Sequence, residues 1–405
     1  MENVLDRFLR YVHINTESKA GEAQIPSTPG QFDLARLLVQ ELRQMGLKAD
    51  VDENCYVYAT LPGNCPDAPV IGFISHMDTS PALSGANVNA RLVDYQGGDI
   101  ELGHGYSLRV ETNPELERYI GKTLVVTDGS TLLGSDDKSG ITEIMTMAQY
   151  FTEHPDEPHG TVQIAFTPDE EIGLSPTKFD IPRFGAQFAY TVDGADLGKL
   201  SYQNFNSAKA TIRVRGASIH PGRAKDKMIS AILVAVELQG MLPPAQAPAH
   251  TAGYEGFFHL VSLSGDVEAA TMDYRISDHD EEKFQQKKKR MEAICAYLNE
   301  KYGEGTVSLV MEDTAHNMEK MILPHFHLIE NAMKAMRAVD VEPEIFPIRG
   351  GTDGTRLSFM GLPCPNLNTG SHNCHGRFEY VPVFALEKIS QMLIELVKLY
   401  AATRP

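Results

Sequence analysis

A histidine and an aspartate stand two residues apart, His76 and Asp78, at the end of the apolar run VIGFIS. Three acidic groups share that habit. Asp136 and Asp137 open the helical stretch DDKSGITEIM, Asp169, Glu170 and Glu171 follow VQIAFT, and Asp193 follows QFAYTV. Open α/β sheets bind ligands outside the carboxyl ends of their strands, so four groups point toward one edge. Converging carboxylates repel, and without a cation at least one must take up a proton. A divalent metal removes that cost, and zinc accepts both imidazole nitrogen and carboxylate oxygen. Two histidines with several acids could hold two ions, about 3.5–4 Å apart, with one carboxylate bridging. The second histidine comes from the loop TGSHNCHGRFE, where His375 is the best candidate and His372 its rival. Each motif alone has a plainer use: acids at a helix start satisfy amides, and Asp-Gly is a common turn pair. Their joint occurrence at strand ends favours a metal site.

The elements that must carry these groups are readable from periodicity. Leu5, Phe8, Leu9 and Val12 predict a surface helix over 3–13. A second helix follows STPGQFD, with Thr28 as N-cap, Pro29 in the first turn and Gly46 ending it. VYATLPG, PVIGFIS, VQIAFT and QFAYTV read as strands without alternation, separated by helices, which implies a mostly buried α/β sheet. The span 81–130 is rich in Gly, Asn and Asp and gives no clear assignment. After residue 206 the pattern changes: AKATIRVRG alternates, a helix covers DKMISAILVAVELQGM, two strands and a long polar-faced helix follow, and TVSLV ends the series. That β-α-β-β-α-β order is a compact α+β unit. The predicted organisation is a first catalytic part over 1–206, an inserted domain over 207–313 and a second catalytic part over 314–405. The KKKR run at 287–290 lies among Glu and Gln and reads as a solvated face.

The bulk numbers set limits. A chain of 405 residues suits two or three domains. With 36 basic against 54 acidic residues the formal net charge is -18, which disfavours nucleic acid as a partner. Five scattered cysteines, none in a CxxC pair, fit a reducing compartment. No secretory signal or membrane-length apolar run is visible, so a soluble cytoplasmic protein is expected. Cys374, beside His375, is read as a structural neighbour, not as a nucleophile.

HMDT, LLGSDDKSG, FTPDEEIG, YTVDG, HPG, RGGTDG and NCHG, in that order, resemble the zinc aminopeptidase and carboxypeptidase family that also holds di-zinc dipeptidases and deacylases. The likeness runs over essentially the whole chain. It implies a zinc-exopeptidase-like catalytic domain with a mostly parallel central sheet, plus an inserted α+β sandwich, ferredoxin-like, as a lid. It implies two zinc ions per chain, one held by His76, Asp136 and Asp193, the other by Asp136, Glu171 and His375. Asp136 would bridge the metals, with a cis bond to Asp137. Asp78 would orient His76, and Glu170 would be the general base for a water shared by the metals. The expected activity is removal of the N-terminal residue from tripeptides and other short peptides. A dipeptidase, a carboxypeptidase or an N-acyl amino-acid deacylase is the alternative on the same fold. The expected partners are short peptides and a second copy paired through the lid, with neither nucleic acid nor membrane.

Substrate contacts follow from the same likeness. His220, in ASIHPGRAKD, is the candidate contact for the peptide carbonyl, and GGTDG (350–354) resembles the substrate-side loop, which Arg349 precedes. Close relatives carry an arginine just before the aspartate that aligns with Asp278, where this chain has Ser277. Its arginine is two residues earlier. Residues two apart on a strand share a face about 6–7 Å apart, so Arg275 is the candidate for the substrate carboxylate.

Overall fold

The computed structural model describes residues 3–194 and 196–402. They divide into two compact units. One holds the chain up to Tyr202, Met321–Ile345 and the chain from Thr352; the other holds Gln203–Lys320 and Phe346–Gly351.

The first unit is built on an eight-stranded sheet. Its order is Lys48–Val51, Val57–Leu61, Val162–Thr167, Ile71–His76, Phe188–Val192, Asn366–Leu367, Lys199–Ser201, Glu344–Ile345. The strands Val162–Thr167, Ile71–His76, Phe188–Val192 and Asn366–Leu367 run parallel to their neighbours in that series. Antiparallel pairs lie toward both margins. All six residues of Ile71–His76 are buried, as an unalternating apolar run requires. Phe73 packs to one side, stacked on Tyr190 at 5.9 Å, and the Tyr190 hydroxyl meets the Tyr400 hydroxyl of the helix Val383–Ala402 at 2.8 Å. Ile74 packs to the other side, in a cluster with Tyr56, Phe179, Phe184 and Leu357.

The stretch 81–130, unassigned from sequence, forms two small sheets. Arg91–Tyr95 and Tyr380–Pro382 flank Lys122–Val126, and Ile100–Gly103 pairs with Tyr106–Leu108. The expected Thr28 cap is a correction. The cap position of helix Gly30–Gln44 falls on Pro29, and the Thr28 hydroxyl donates to the Glu17 carbonyl at 2.7 Å instead.

The second unit has one four-stranded antiparallel sheet, ordered Phe257–Gly265, Ala269–Asp278, Asn206–Arg215, Val307–Ala315. With helices Ala231–Met241 and Glu281–Tyr302 the chain order is β-α-β-β-α-β. Ala208, Ala210, Ile212, Val214, Met272, Tyr274 and Ile276 alternate inward onto Val234, Leu238, Met291 and Leu298 of the two helices. The first helix starts at Ala231, later than its sequence pattern suggested, because Ala217 and Ile229 pair as an antiparallel bridge just before it. Residues 346–351 join this unit through the Ile348 amide, which donates to the Gln203 carbonyl at 2.9 Å.

Candidate metal centre

Three adjacent parallel strands of the first unit end side by side. Ile71–His76 delivers His76 and Asp78, Val162–Thr167 delivers Glu170 and Glu171, and Phe188–Val192 delivers Asp193. The register pairs His76 with Thr167, so the loops leave the sheet at one level. The helix Ser135–Glu153 brings Asp136, whose bond to Asp137 is cis, and both residues depart from helical angles. That helix approaches closely: a Cβ on Gly140 would stand 2.0 Å from the Val192 carbonyl oxygen, so only glycine fits beside the strand that ends at Asp193. His375 comes from the loop closed by mutual backbone hydrogen bonds of His372 and Tyr380, 2.9 and 3.1 Å.

The side chains converge. His76 Nε2 lies 3.1 Å from Asp136 Oδ1 and 3.7 Å from Asp193 Oδ1. His375 Nε2 lies 3.1 Å from Asp136 Oδ2 and 3.0 Å from Glu171 Oε1. The one carboxylate of Asp136 thus faces an imidazole with each oxygen. Ligand atoms of His76, Asp136 and Glu171 lie within 4.8 Å of one another. His76, Asp137 and Asp193 meet the same distance, but Asp137 is already engaged. Its Oδ2 accepts from the Ser75 hydroxyl and from the His76 amide (3.2 Å), and its Oδ1 from the Gly140 amide (3.2 Å). Asp136, not Asp137, therefore faces both imidazoles.

Asp78 is fully buried behind His76. His76 Nδ1 is 3.0 Å from the Asp78 carbonyl oxygen and 3.4 Å from its Oδ1. The same carboxylate accepts from the Glu170 amide at 2.9 Å and the Glu171 amide at 3.2 Å. One buried acid therefore orients the imidazole and the glutamate pair together.

The charges fit a cation. Burial pushes the carboxyls of Glu170, Glu171 and Asp193 above their ordinary range, and neighbouring acids add to the rise. The Asp136 and Glu171 carboxylates beside its ring push His375 up to about 10. His76 is also raised: burial opposes this, but Asp136, Asp193 and Asp78 outweigh it. Buried carboxylates that converge in this way need protons or a cation beside them, and this donor set suits a dication. Glu171 Oε1 is buried and, despite its closeness to His375, makes no well-directed hydrogen bond. An orphaned carboxylate oxygen beside two imidazoles and a shared aspartate suits a metal ligand set.

Of the residues that support this cluster, Glu379 gave no signal in the sequence. Glu379 accepts from the amides of Leu133 (2.7 Å), Gly134 (2.9 Å) and Asp136 (3.0 Å), holding the Asp136 turn. Asp169 accepts from the Ser27 amide, the Ser27 hydroxyl and the Gln31 side chain, at 2.5–2.7 Å. Asp353 of the GGTDG loop is buried, pushed up to about 6 by burial, and accepts from the Ser175 and Thr167 hydroxyls. His372, the rival for the second histidine, is 5% exposed and points away to Tyr119 and Asp196. Cys374 is partly buried, and burial drives its thiol well above the ordinary range, unlike an activated nucleophile.

His220 and Arg275 belong to the second unit. His220 is exposed, and its Nδ1 accepts from the Gly222 amide at 3.2 Å. Arg275 is exposed on its strand, in register with Lys209 on one side and His259 on the other. Ser277 is buried, its hydroxyl 2.9 Å from that of Ser207. Arg349 spends its guanidinium on the carbonyls of Thr251, Gly253 and Glu255.

Residues 202–304 match the peptidase dimerisation domain. The fold is shared with solved structures at low identity. Aminopeptidase PepT from Bacillus cereus superposes with a TM-score of 0.80 at 20% identity, covering 99% of this chain and 98% of that one. A dinuclear metal binding peptidase of the M20 family from Bacillus subtilis gives 0.66 at 14%, with 99% and 98% covered. At these identities the likeness is one of fold, shared with a peptidase of the M20 family. The sequence is 52% identical over 406 residues to peptidase T of Halothermothrix orenii, covering 99% of this chain and 100% of the relative. It is 53% identical over 405 residues to peptidase T of Desulfitobacterium hafniense, covering 99% of each. The chain belongs to the peptidase T family. Among the described residues no helix is long and apolar enough to cross a membrane.

Proposed function

We propose that this chain is a di-zinc aminopeptidase that removes the N-terminal residue from tripeptides and other short peptides in the cytoplasm. One observation carries the reading: Asp136 presents one oxygen to His76 and the other to His375. In this assignment one zinc takes His76, Asp136 and Asp193, and the other takes Asp136, Glu171 and His375. Bound there, the metals would polarise the peptide carbonyl and acidify a water. Glu170 takes the proton of the attacking water on its carboxylate and passes it to the leaving amine nitrogen. Its burial, which favours the protonated form, suits that return step. Asp78 holds His76 by Nδ1 and leaves Nε2 for metal. His220 contacts the peptide carbonyl oxygen, and Arg275 receives the C-terminal carboxylate as a charge-assisted hydrogen bond. A second copy of the chain is the proposed partner, supported by the match to a dimerisation domain and by Leu233 and Val236, exposed at 67% and 54% on the helix Ala231–Met241.

A matched peptide set tests the activity. Turnover should be fastest on Ala-Ala-Ala, fall on Ala-Ala, and vanish on N-acetylated tripeptide. Amidating the tripeptide's C-terminus should raise KM by roughly 10-fold if Arg275 binds the carboxylate. EDTA should abolish activity and zinc should restore it. Preferred turnover of the N-acetylated substrate would overturn the aminopeptidase reading in favour of a deacylase, and full activity after exhaustive chelation would remove the metals from it.

A further inference from the structure

The loop that carries His375 and the loop that carries Asp193 are joined by a buried side chain outside the ligand set. His372, three residues before His375, turns inward. Its Nε2 lies 2.7 Å from the Tyr119 hydroxyl and its Nδ1 3.3 Å from Asp196 Oδ1. The ring stacks on Tyr380 at 4.7 Å and 12°, and Tyr119 meets it edge-on at 5.4 Å. Asp196 stands three residues beyond Asp193, and Lys199 Nζ donates to it at 2.5 Å. The first turn of the Asp193 loop has its own ties: Asn366 donates to the Asp193 carbonyl at 2.7 Å and Thr369 to the Gly194 carbonyl at 2.6 Å. Beyond that turn, the Asp196–His372 contact carries the link across to the His375 loop.

An imidazole is well suited to this position. It offers polar atoms on opposite edges of a flat ring, so it can reach a carboxylate and a phenol at once while its faces pack on aromatic rings. Burial favours its neutral form. A neutral ring accepts from the Tyr119 hydroxyl at Nε2 and turns its Nδ1 edge toward the Asp196 carboxylate, which uses both sides of the ring. Asn373, next in sequence, is tied outward, its amide donating to the Asn113 side chain at 2.8 Å and the Phe378 carbonyl at 3.1 Å. His375 itself has φ +67 and is half exposed, so the loop alone does little to hold its ring.

We propose that His372 is a positioning residue that fixes the spacing between the Asp193 loop and the His375 loop, and thereby between the two metal positions, without touching metal or substrate. The proposal rests on the two-metal reading of the site. Groups that orient metal ligands typically cost 10–100-fold in metal affinity or activity when removed.

The test uses the full-length enzyme and two variants of His372. H372F keeps the ring on Tyr380 and removes both polar contacts. H372N keeps a donor where Nδ1 stands. Zinc bound per chain is measured by titration against a competing chelator, alongside kcat and KM on Ala-Ala-Ala. H372F is expected to bind one of its two zinc ions about 10-fold more weakly, with kcat lowered about 10-fold and KM little changed. H372N should recover most of both. D196N should behave like H372F, and the double variant should lose no more than either single one, because both remove one contact. Y119F, which keeps the aromatic ring and removes only the hydroxyl that meets His372, serves if H372F folds poorly and should give a smaller loss of the same kind. Wild-type affinity at both zinc sites in H372F, or additive losses in the double variant, would overturn the proposal. A wild-type enzyme that binds one zinc or none would instead overturn the two-metal reading beneath it.

Discussion

The two sheets treat charge in opposite ways. In the first unit the central strands are buried on both faces, so ionisable groups gather past the strand ends, where the imidazoles of His76 and His375 lie 3.0–3.7 Å from carboxylates of Asp136, Glu171 and Asp193. In the second unit one face of the sheet is wet, and charge is spread along it. Asp273 accepts from the Thr211 and Ser262 hydroxyls at 2.8 and 2.9 Å, which lowers its pKa. On the other face, against the helix Glu281–Tyr302, Lys288 meets Asp313 at 2.6 Å and Lys287 meets Asp278 at 2.8 Å. Each of these carboxylates has its own partner. A sheet covered on both sides concentrates unmet charge at one edge, and such unmet charge invites a metal. A half-exposed sheet neutralises its charges pair by pair.

The sharpest way to break that contrast is to remove one member of the crowded edge at a time. D136N deletes the shared carboxylate, so both zinc ions should be lost from the chain and activity should fall below detection. E170Q should keep both zinc ions and lower kcat by about 10²–10⁴-fold, the usual range for a general base. Zinc analysis beside kcat distinguishes them. Were E170Q to lose its metal as D136N does, Glu170 would be a ligand, and the division between binding and proton transfer would be wrong.

Much of the edge is visible in the sequence because apolar runs stop abruptly and polar groups follow. VIGFIS ends and His76 appears; VQIAFT ends and the glutamate pair appears. The different fates of Asp136 and Asp137 are not visible. They are neighbours of the same type, and only the non-helical backbone at both turns one to the imidazoles and the other to Ser75. Distant partners are equally hidden. Ser27 reaches Asp169 across 142 residues, and Glu379 reaches the Asp136 amide across 243. Spacing carries local geometry, whereas these contacts depend on how remote segments pack. Residues 81–130 resisted assignment for a related reason: their strands are short, and one of them pairs with Tyr380–Pro382 near the other end of the chain.

Changes in the second unit should have a milder and different effect. Leu233 and Val236 are exposed on a helix whose buried side already packs on its own sheet. Charges introduced there, in the L233E/V236E variant, should turn a dimer into a monomer in sedimentation equilibrium at micromolar concentration. Zinc content should not change. A variant that keeps the dimer mass would place the interface elsewhere, and a monomeric wild-type enzyme would remove the second copy from the proposal.

The smallest expected effect tests whether buried charge alone explains the crowded edge. Glu143 lies in the helix that carries Asp136, fully buried, and neither of its carboxylate oxygens has a hydrogen-bond partner among the described residues. Burial raises its pKa well above the ordinary value, and the Asp137 carboxylate adds to the rise. A carboxyl whose folded pKa exceeds its unfolded value of about 4.3 binds its proton more tightly in the native state. Its contribution to stability therefore falls as pH rises from that value toward the folded pKa. E143M removes the group while keeping its length, so it should stabilise the protein by about 1–3 kcal/mol at pH 8 and by less at pH 5. Denaturant unfolding of the zinc-free protein at the two pH values reads the difference directly, with peptidase activity of the zinc-loaded variant unchanged. If E143M were instead destabilising by the same amount at both, Glu143 would have a compensating partner, and isolation would no longer distinguish it from the carboxylates that meet two imidazoles.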